Sequence, residues 1–316
     1  MIEVKNLVKR YGNHLALDNV SFTIEKGEVI GFLGPNGAGK STTMNIITGY
    51  LSSTEGEVRV DGVSVLDEPE KAKKMIGYLP EIPPLYTEMT VDEYLTFVCE
   101  LKGVPASKRL ETVTRIAKQT RISEVRKRLI RNLSKGYRQR VGIAQALVGD
   151  PEVLILDEPT VGLDPKQITE VRSLIKDLSE NHTLIISSHI LAEVQAVCSR
   201  VIIINRGRIV ATDTPENLAR NAIKSNKLEL RIKGPKNDVL NGVSAISGVR
   251  QAEIIRIREE GAVDVNVETE EGVDVREQIF DFCCENHYPI YMMKTTEANL
   301  EDIFLQITGE REAKRS

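Results

Sequence analysis

One stretch, Gly34-Pro35-Asn36-Gly37-Ala38-Gly39-Lys40-Ser41-Thr42, has the residue types and spacing to hold a chain of phosphates. Glycines at 34, 37 and 39 let the backbone approach a ligand closely and turn successive N–H groups inward. Lys40 supplies a cation that reaches the β- and γ-phosphates, and the Ser41 hydroxyl is the kind of oxygen that ligates Mg²⁺. Further along, the apolar run Val153-Leu154-Ile155-Leu156 ends in two carboxylates, Asp157 and Glu158. Asp157 is placed to complete a Mg²⁺ shell, and Glu158 to polarise a water for in-line attack. Together these residues imply binding and hydrolysis of a nucleoside triphosphate.

Such groups must be carried by elements that aim them. Val29-Ile30-Gly31-Phe32-Leu33 reads as a buried strand entering the loop, and residues 42–47 as the helix leaving it, with Gly49 placed to end that helix. The helix start adds positive potential beside the phosphates. Apolar runs at 153–156, 183–186 and 201–204 suit a parallel sheet covered on both faces. Alternation over the first 24 residues, a turn at Tyr11-Gly12-Asn13, and an Asp61-Gly62 hairpin predict antiparallel strands beside that sheet. Residues 90–149 are helical in character, with a Thr90/Glu93 capping box, a helix over 107–120 and another after Leu133-Ser134. The basic stretch 121–131 fits a helix with a solvated basic face, its Ile122, Val125, Leu129 and Ile130 turned inward.

A polar linker around 221–227 divides the chain into a domain at 1–222 and a smaller one at 223–316. The second reads β-α-β-β-α-β, with helices at about 237–246 and 273–286, which points to a ferredoxin-like α+β unit. A short amphipathic helix at 299–305 and a frayed charged tail after Gly309 would close the chain.

Composition excludes several roles. The net charge of -4 gives no general polycation for nucleic acid, and few aromatics with no Trp weaken a single-strand stacking platform. No apolar run is long enough to span a bilayer, and the first residues lack a signal-peptide core. Cys99, Cys198, Cys283 and Cys284 have neither metal-ligand nor disulfide-framework spacing and are expected to be reduced apolar residues. Any membrane role needs a separate polypeptide.

Leu133-Ser134-Lys135-Gly136-Tyr137-Arg138-Gln139-Arg140 then narrows the class. It resembles the signature motif of the ATP-binding cassette (ABC) ATPases, at the expected distance before Asp157-Glu158. The resemblance covers about residues 1–220. It implies a P-loop NTPase fold of the ABC type, with a mixed-sheet core, an antiparallel β subdomain and a helical signature subdomain. In that family the signature helix start binds the γ-phosphate held by a second subunit, so Ser134 and Gly136 are expected to act in trans. Tyr11 lies where the family stacks an aromatic on adenine. Gly162-Leu163-Asp164 resembles the loop that communicates between the two sites, and Asp164 is also placed to cap the helix begun by Pro165. His189 resembles the switch histidine that contacts the γ-phosphate and attacking water. His14, His182 and His287 lack such context.

Two positions depart from the family pattern. Lys135 and Tyr137 replace Gly and Gln in the signature, and Glu81 stands in Leu79-Pro80-Glu81 where Gln is usual. Glu81 could reach Mg²⁺ through water, adding negative charge near the nucleotide. Both substitutions, and the ending 299–305, resemble the bacterial exporter branch with separate membrane subunits, including drug-resistance and gliding-motility types. The resemblance therefore implies an ATPase working with ATP and Mg²⁺. It would form a homodimer around two ATP molecules and drive an integral membrane permease from the cytoplasmic face through the 82–90 loop. Two alternatives remain at this point. A soluble ABC ATPase acting on nucleic acid or the ribosome would usually carry two cassettes or a long coiled coil, and neither occurs here. A non-catalytic nucleotide switch would not need Glu158 and His189.

Overall fold

The computed structural model describes residues 1–222, 227–258, 261–270 and 272–296. The chain divides into two compact units, Met1–Pro215 and Glu216–Ser316.

The first unit begins with β1 (Ile2–Tyr11) and β2 (His14–Ile24), an antiparallel pair whose buried residues include Ile2, Val4, Leu7, Val20, Phe22 and Ile24. β3 (Val29–Leu33) is buried at every position and runs into the 34–39 loop and α1 (Lys40–Ile47). β4 (Glu55–Val60) and β5 (Val63–Ser64) meet at Asp61-Gly62, whose φ values of 45° and 79° are the left-handed pair a two-residue hairpin needs. Next come α2 (Pro69–Met75), β6 (Ile76–Leu79), α3 (Val91–Leu101), α4 (Ala106–Gln119) and α5 (Lys135–Leu147). They are followed by β7 (Val153–Asp157), α6 (Pro165–Ser179), β8 (Thr183–Ser188), α7 (Leu191–Gln195), β9 (Arg200–Asn205) and β10 (Arg208–Asp213); α8 (Pro215–Ala222) starts at the boundary and belongs to the second unit.

Two sheets result. The antiparallel one runs β2-β1-β4-β5, and the central one runs β10-β9-β3-β8-β7-β6. In the central sheet only β10 is antiparallel to its neighbour. Continuous apolar strands need cover on both faces. Part of that cover is a shared core in which Phe22, Phe32, Met44, Ile47, Val58, Ile155, Ile185 and Ile202 are buried together. The register then sets the chemistry: Leu33 pairs with Ser188, and Asp157 with Ser187. The carboxyl ends of β3, β8 and β7 therefore finish level, and an open α/β sheet binds ligands beyond those ends.

The helical region starts with the expected capping box, Thr90 and Glu93 each satisfying the other's backbone N–H. The basic stretch differs from its sequence reading. It contains two short 3₁₀ turns, Ser123–Val125 and Ile130–Asn132, with turn and bend residues between them and an isolated antiparallel bridge from Leu129 to Thr90. Its carbonyls are engaged elsewhere: Arg128 and Arg126 accept from Val91 N and Asp92 N at 3.2 and 3.0 Å. Those two donors belong to the first turn of α3, which has no partners of its own for them. Ile122, Val125 and Ile130 are buried as expected, and Arg126 pairs with Asp92 at 2.6 Å.

The second unit contains β11 (Lys227–Lys233), α9 (Lys236–Ser244), β12 (Val249–Ile257), β13 (Ala262–Thr269), α10 (Arg276–Glu285) and β14 (Ile290–Thr296). All pairings are antiparallel in the order β12-β13-β11-β14, so the first strand lies between the third and fourth. This is the ferredoxin-like arrangement. Leu228, Leu230, Ile232, Val263, Val265 and Val267 meet Val239, Val243, Ile279 and Cys283 of the helices in one core. The expected helix at 299–305, the charged tail, and linker residues 223–226 lie outside the described residues. All four cysteines are free, and Cys284 is exposed rather than packed.

Candidate nucleotide-binding and catalytic site

Beyond the level ends of β3, β7 and β8 lies a cavity of about 630 Å³. Its lining includes Asn36, Gly37, Gly39, Lys40, Ser41 and Thr42 of the loop and α1, Glu81, Glu158 and His189 from beyond other strands, and Tyr11 and His14. Gly34, Pro35 and Ala38 shape the loop from behind: Ala38 N donates to Pro35 O at 3.1 Å. Gly39 is fixed by conformation and space together. Its φ is +111°, and a Cβ there would lie 2.7 Å from Leu17 Cδ2 and 3.0 Å from Ala16 O. It stands at the start of α1, which has no side-chain cap and no acid in its first turn, so its leading N–H groups remain for an anion.

Lys40 shows what the loop is built to grip. Its ammonium donates to Gly34 O at 2.7 Å and Pro35 O at 3.4 Å and lies 3.5 Å from Glu158 Oε1. Both side chains are buried, at 6 and 8 % exposure. Glu158 also lies 2.9 Å from His189 Nδ1 through its other oxygen. A carboxylate oxygen accepts, so Nδ1 is the donor in this contact. The Glu158 backbone has φ +48°, a left-handed conformation costly for a side-chain-bearing residue, and is held by bonds from its N–H to Ser187 Oγ and O at 3.0 and 3.2 Å. Ser187 Oγ in turn donates to Asp157 Oδ1. Tyr78 donates to Asn45 Oδ1 at 3.2 Å, and burial, helped by the Asp157 charge, pushes its phenol upward.

Gly34, Pro35 and Ala38 do not line this cavity, Asp157 lines the neighbouring cleft instead, and three further predicted residues stand in neither. Ser134 caps α5, accepting from Tyr137 N at 3.3 Å. Gly136 lies against Gln167, close enough that a Cβ would meet its side chain at 2.8 Å. Asp164 caps α6, accepting from Gln167 N at 2.9 Å, with Pro165 in the first turn. The unusual Tyr137 is braced on both sides: its hydroxyl donates to Glu124 at 2.6 Å and its ring stacks 4.3 Å from the Arg140 guanidinium.

Sequence reasoning missed His14, which lines the cavity with Tyr11; its place three residues past a lining aromatic was the available signal. It also missed Thr160, Ser188 and Glu193. Each is a polar residue close in sequence to a predicted catalytic one, which flags them only once the strands are known to end level. His182 is buried with Nδ1 2.9 Å from Pro151 O, a core histidine.

Residues 17–161 match the ABC transporter family. The chain is 35 % identical over 315 residues to the uncharacterized ABC transporter ATP-binding protein YhcH of Bacillus subtilis (strain 168), covering 98 % of this chain and 96 % of that one. This chain belongs to the ABC transporter ATP-binding proteins. A second relative, the linearmycin resistance ATP-binding protein LnrL of the same organism, is 31 % identical over 310 residues, 98 % of each chain. Among solved structures, a dimeric post-hydrolysis ATP-binding cassette bound to ADP and Pi superposes with a TM-score of 0.62 at 28 % identity, over 68 % of this chain and 98 % of that one. As a member of this family the chain binds and hydrolyses ATP. Among the described residues no helix is long and apolar enough to cross a membrane.

Proposed function

We propose that this chain is the ATPase subunit of an exporter in which two copies sandwich two ATP molecules and drive a separate membrane permease from the cytoplasmic face. The observation that carries the reading is the division of the site. Lys40, Ser41, Glu158 and His189 line the cavity, whereas Ser134 and Gly136, at a second helix start suited to phosphate, stand outside it in the same chain. A second copy would supply them. ATP would then stabilise the closed pair and ADP would not, which turns hydrolysis into motion.

Within each site the loop and Lys40 hold the phosphates, Tyr11 stacks the base, and Glu158 takes a proton from the attacking water. His189 orients that water and the γ-phosphate. Ser41, Asp157 and Glu81 together line the neighbouring cleft, and all three offer hard oxygen atoms. That donor set fits Mg²⁺, which takes one or two carboxylates along with substrate phosphates and would neutralise developing charge there. The same cleft, about 1070 Å³, is walled by Tyr50, Ile82, Tyr86, Phe97 and Leu101. It fits an apolar element of a permease, and Ser41 and Glu81 line both it and the nucleotide cavity. The name of LnrL, a resistance protein, favours export of a toxic compound.

Mixing two inactive variants tests the divided site. Ser134→Ala and Lys40→Ala chains should each be inactive alone. Mixed, half of the dimers pair unlike chains and one of their two sites is intact, so activity should recover to about a quarter of wild type. No recovery would exclude sharing of the site between copies. Co-purification of ribosomes or DNA instead of a membrane protein would overturn the exporter reading.

A further inference from the structure

A buried carboxylate outside the nucleotide cavity joins the two loops that carry Glu158 and His189. Glu193, in α7, is 8 % exposed. Its Oε2 accepts from Thr160 Oγ1 at 2.5 Å and from Ser188 Oγ at 3.1 Å. Thr160 lies two residues after Glu158, and Ser188 immediately precedes His189. Both donors are themselves buried, at 4 and 0 % exposure. Ser188 also accepts from Ile190 N at 3.0 Å, so the backbone on each side of His189 is tied down.

Among the described residues no cation pairs with Glu193. A buried carboxylate held only by hydroxyls is costly compared with an apolar residue of similar size. Stability therefore gives no reason for an acid here, whereas geometry does. One oxygen accepting from both loops sets the distance between them. The distance it sets is that between the Glu158 carboxylate and the His189 ring, now 2.9 Å.

We infer that Glu193 is a positioning residue for hydrolysis, clamping the loop after β7 to the loop after β8. The inference rests on the proposed roles of Glu158 and His189. The phosphate loop springs from β3 and α1, so loss of the clamp leaves the grip on ATP in place and misaligns only the groups acting on water. A misplacement of about 1 Å costs up to about 100-fold in rate.

The test uses the full chain with Glu193→Ala, Glu193→Gln, Thr160→Val and Glu158→Gln, reading steady-state hydrolysis, equilibrium ATP binding and thermal midpoint. Glu193→Ala should lower kcat by about 10- to 100-fold with ATP affinity within about twofold of wild type. Glu193→Gln should restore most of kcat, because its amide oxygen accepts from the same two hydroxyls. Thr160→Val should lower kcat several-fold, and the double variant should be no worse than Glu193→Ala, since both remove one linkage. Full kcat in a folded Glu193→Ala protein would overturn the clamp. So would a Gln variant as slow as the Ala variant, or losses that multiply in the double. If Glu193→Ala does not fold, Thr160→Val carries the test, and wild-type kcat there overturns the clamp. Glu158→Gln separates the two readings: hydrolysis retained there removes the roles assigned to the site, whereas hydrolysis lost there but full in Glu193→Ala removes the clamp alone.

Discussion

Replacing Glu158 with Gln should do two things at once: abolish hydrolysis and tighten ATP binding. The first follows from losing the proton acceptor, a loss of about 10²- to 10⁴-fold. The second follows from the ion pair. Lys40 is shared among Gly34 O, Pro35 O and Glu158 Oε1. ATP must draw the ammonium off the carboxylate and also bring a γ-phosphate beside that carboxylate. At 3.5 Å and an effective dielectric of about 20, the Lys40–Glu158 attraction is about 5 kcal/mol gross. Desolvation of both buried ions offsets most of it. If about a third survives as net attraction, its removal is worth about tenfold in affinity. Relief of repulsion between Glu158 and the γ-phosphate acts in the same direction, and Gln still accepts from His189.

The assay is equilibrium binding of a non-hydrolysable ATP analogue and of ADP to wild type and Glu158→Gln. The analogue should gain about tenfold, and ADP, which brings no γ-phosphate, should gain less. With ATP and Mg²⁺, sedimentation should show the variant accumulating as a dimer. Analogue binding no tighter than wild type would refute the argument that Glu158 holds Lys40 back. Wild-type hydrolysis would refute its role as base.

Three further outcomes follow from single contacts. Gly39→Ala must fit a Cβ 2.7 Å from Leu17 Cδ2 at φ +111°, so it should cost about 1–3 kcal/mol of stability and lose ATP binding, by thermal melt and titration. Ile82→Asp puts a charge on an exposed apolar wall of the cleft and should abolish co-purification with a membrane partner; unchanged co-purification would move the docking site elsewhere. In the second unit Arg231, and then Arg258, hold the buried Asp264 carboxyl below the usual carboxylate range. A depressed carboxylate contributes its stability in full above the unfolded-state value of about 4 and loses it as pH falls through the lower folded value. Asp264→Asn should thus cost about 1–2 kcal/mol at pH 7, a difference that shrinks below about pH 4 in melts of the full chain.

The parts of this protein that were legible in the sequence are those whose meaning is local. The 34–42 loop is one such part, since glycine spacing and a following helix dictate their own geometry. The Thr90/Glu93 box and the Asp61-Gly62 turn are others, each closed by residues within three positions of one another. The β-α-β-β-α-β order was readable because alternation and helical periodicity change at each boundary. What escaped was decided by partners distant in sequence. Residues 121–131 carry a helix-like apolar spacing, yet their carbonyls satisfy Val91 and Asp92 more than thirty positions earlier, and a tertiary hydrogen bond overrode the local pattern.

Glu193 escaped for the same reason. In the sequence it is one acid on a short helix, unremarkable beside Asp157 and Glu158. It acquires a role only because β7 and β8 pair Asp157 with Ser187, which brings Thr160 and Ser188 to the same side of one carboxylate oxygen. The motif residues provide the reacting groups, and strand register fixes how far apart they stand. A change in this protein that leaves every motif intact but slips β7 against β8 by one residue would turn Asp157 and Ser187 to opposite faces. Such a chain should still bind ATP at the loop and should not hydrolyse it.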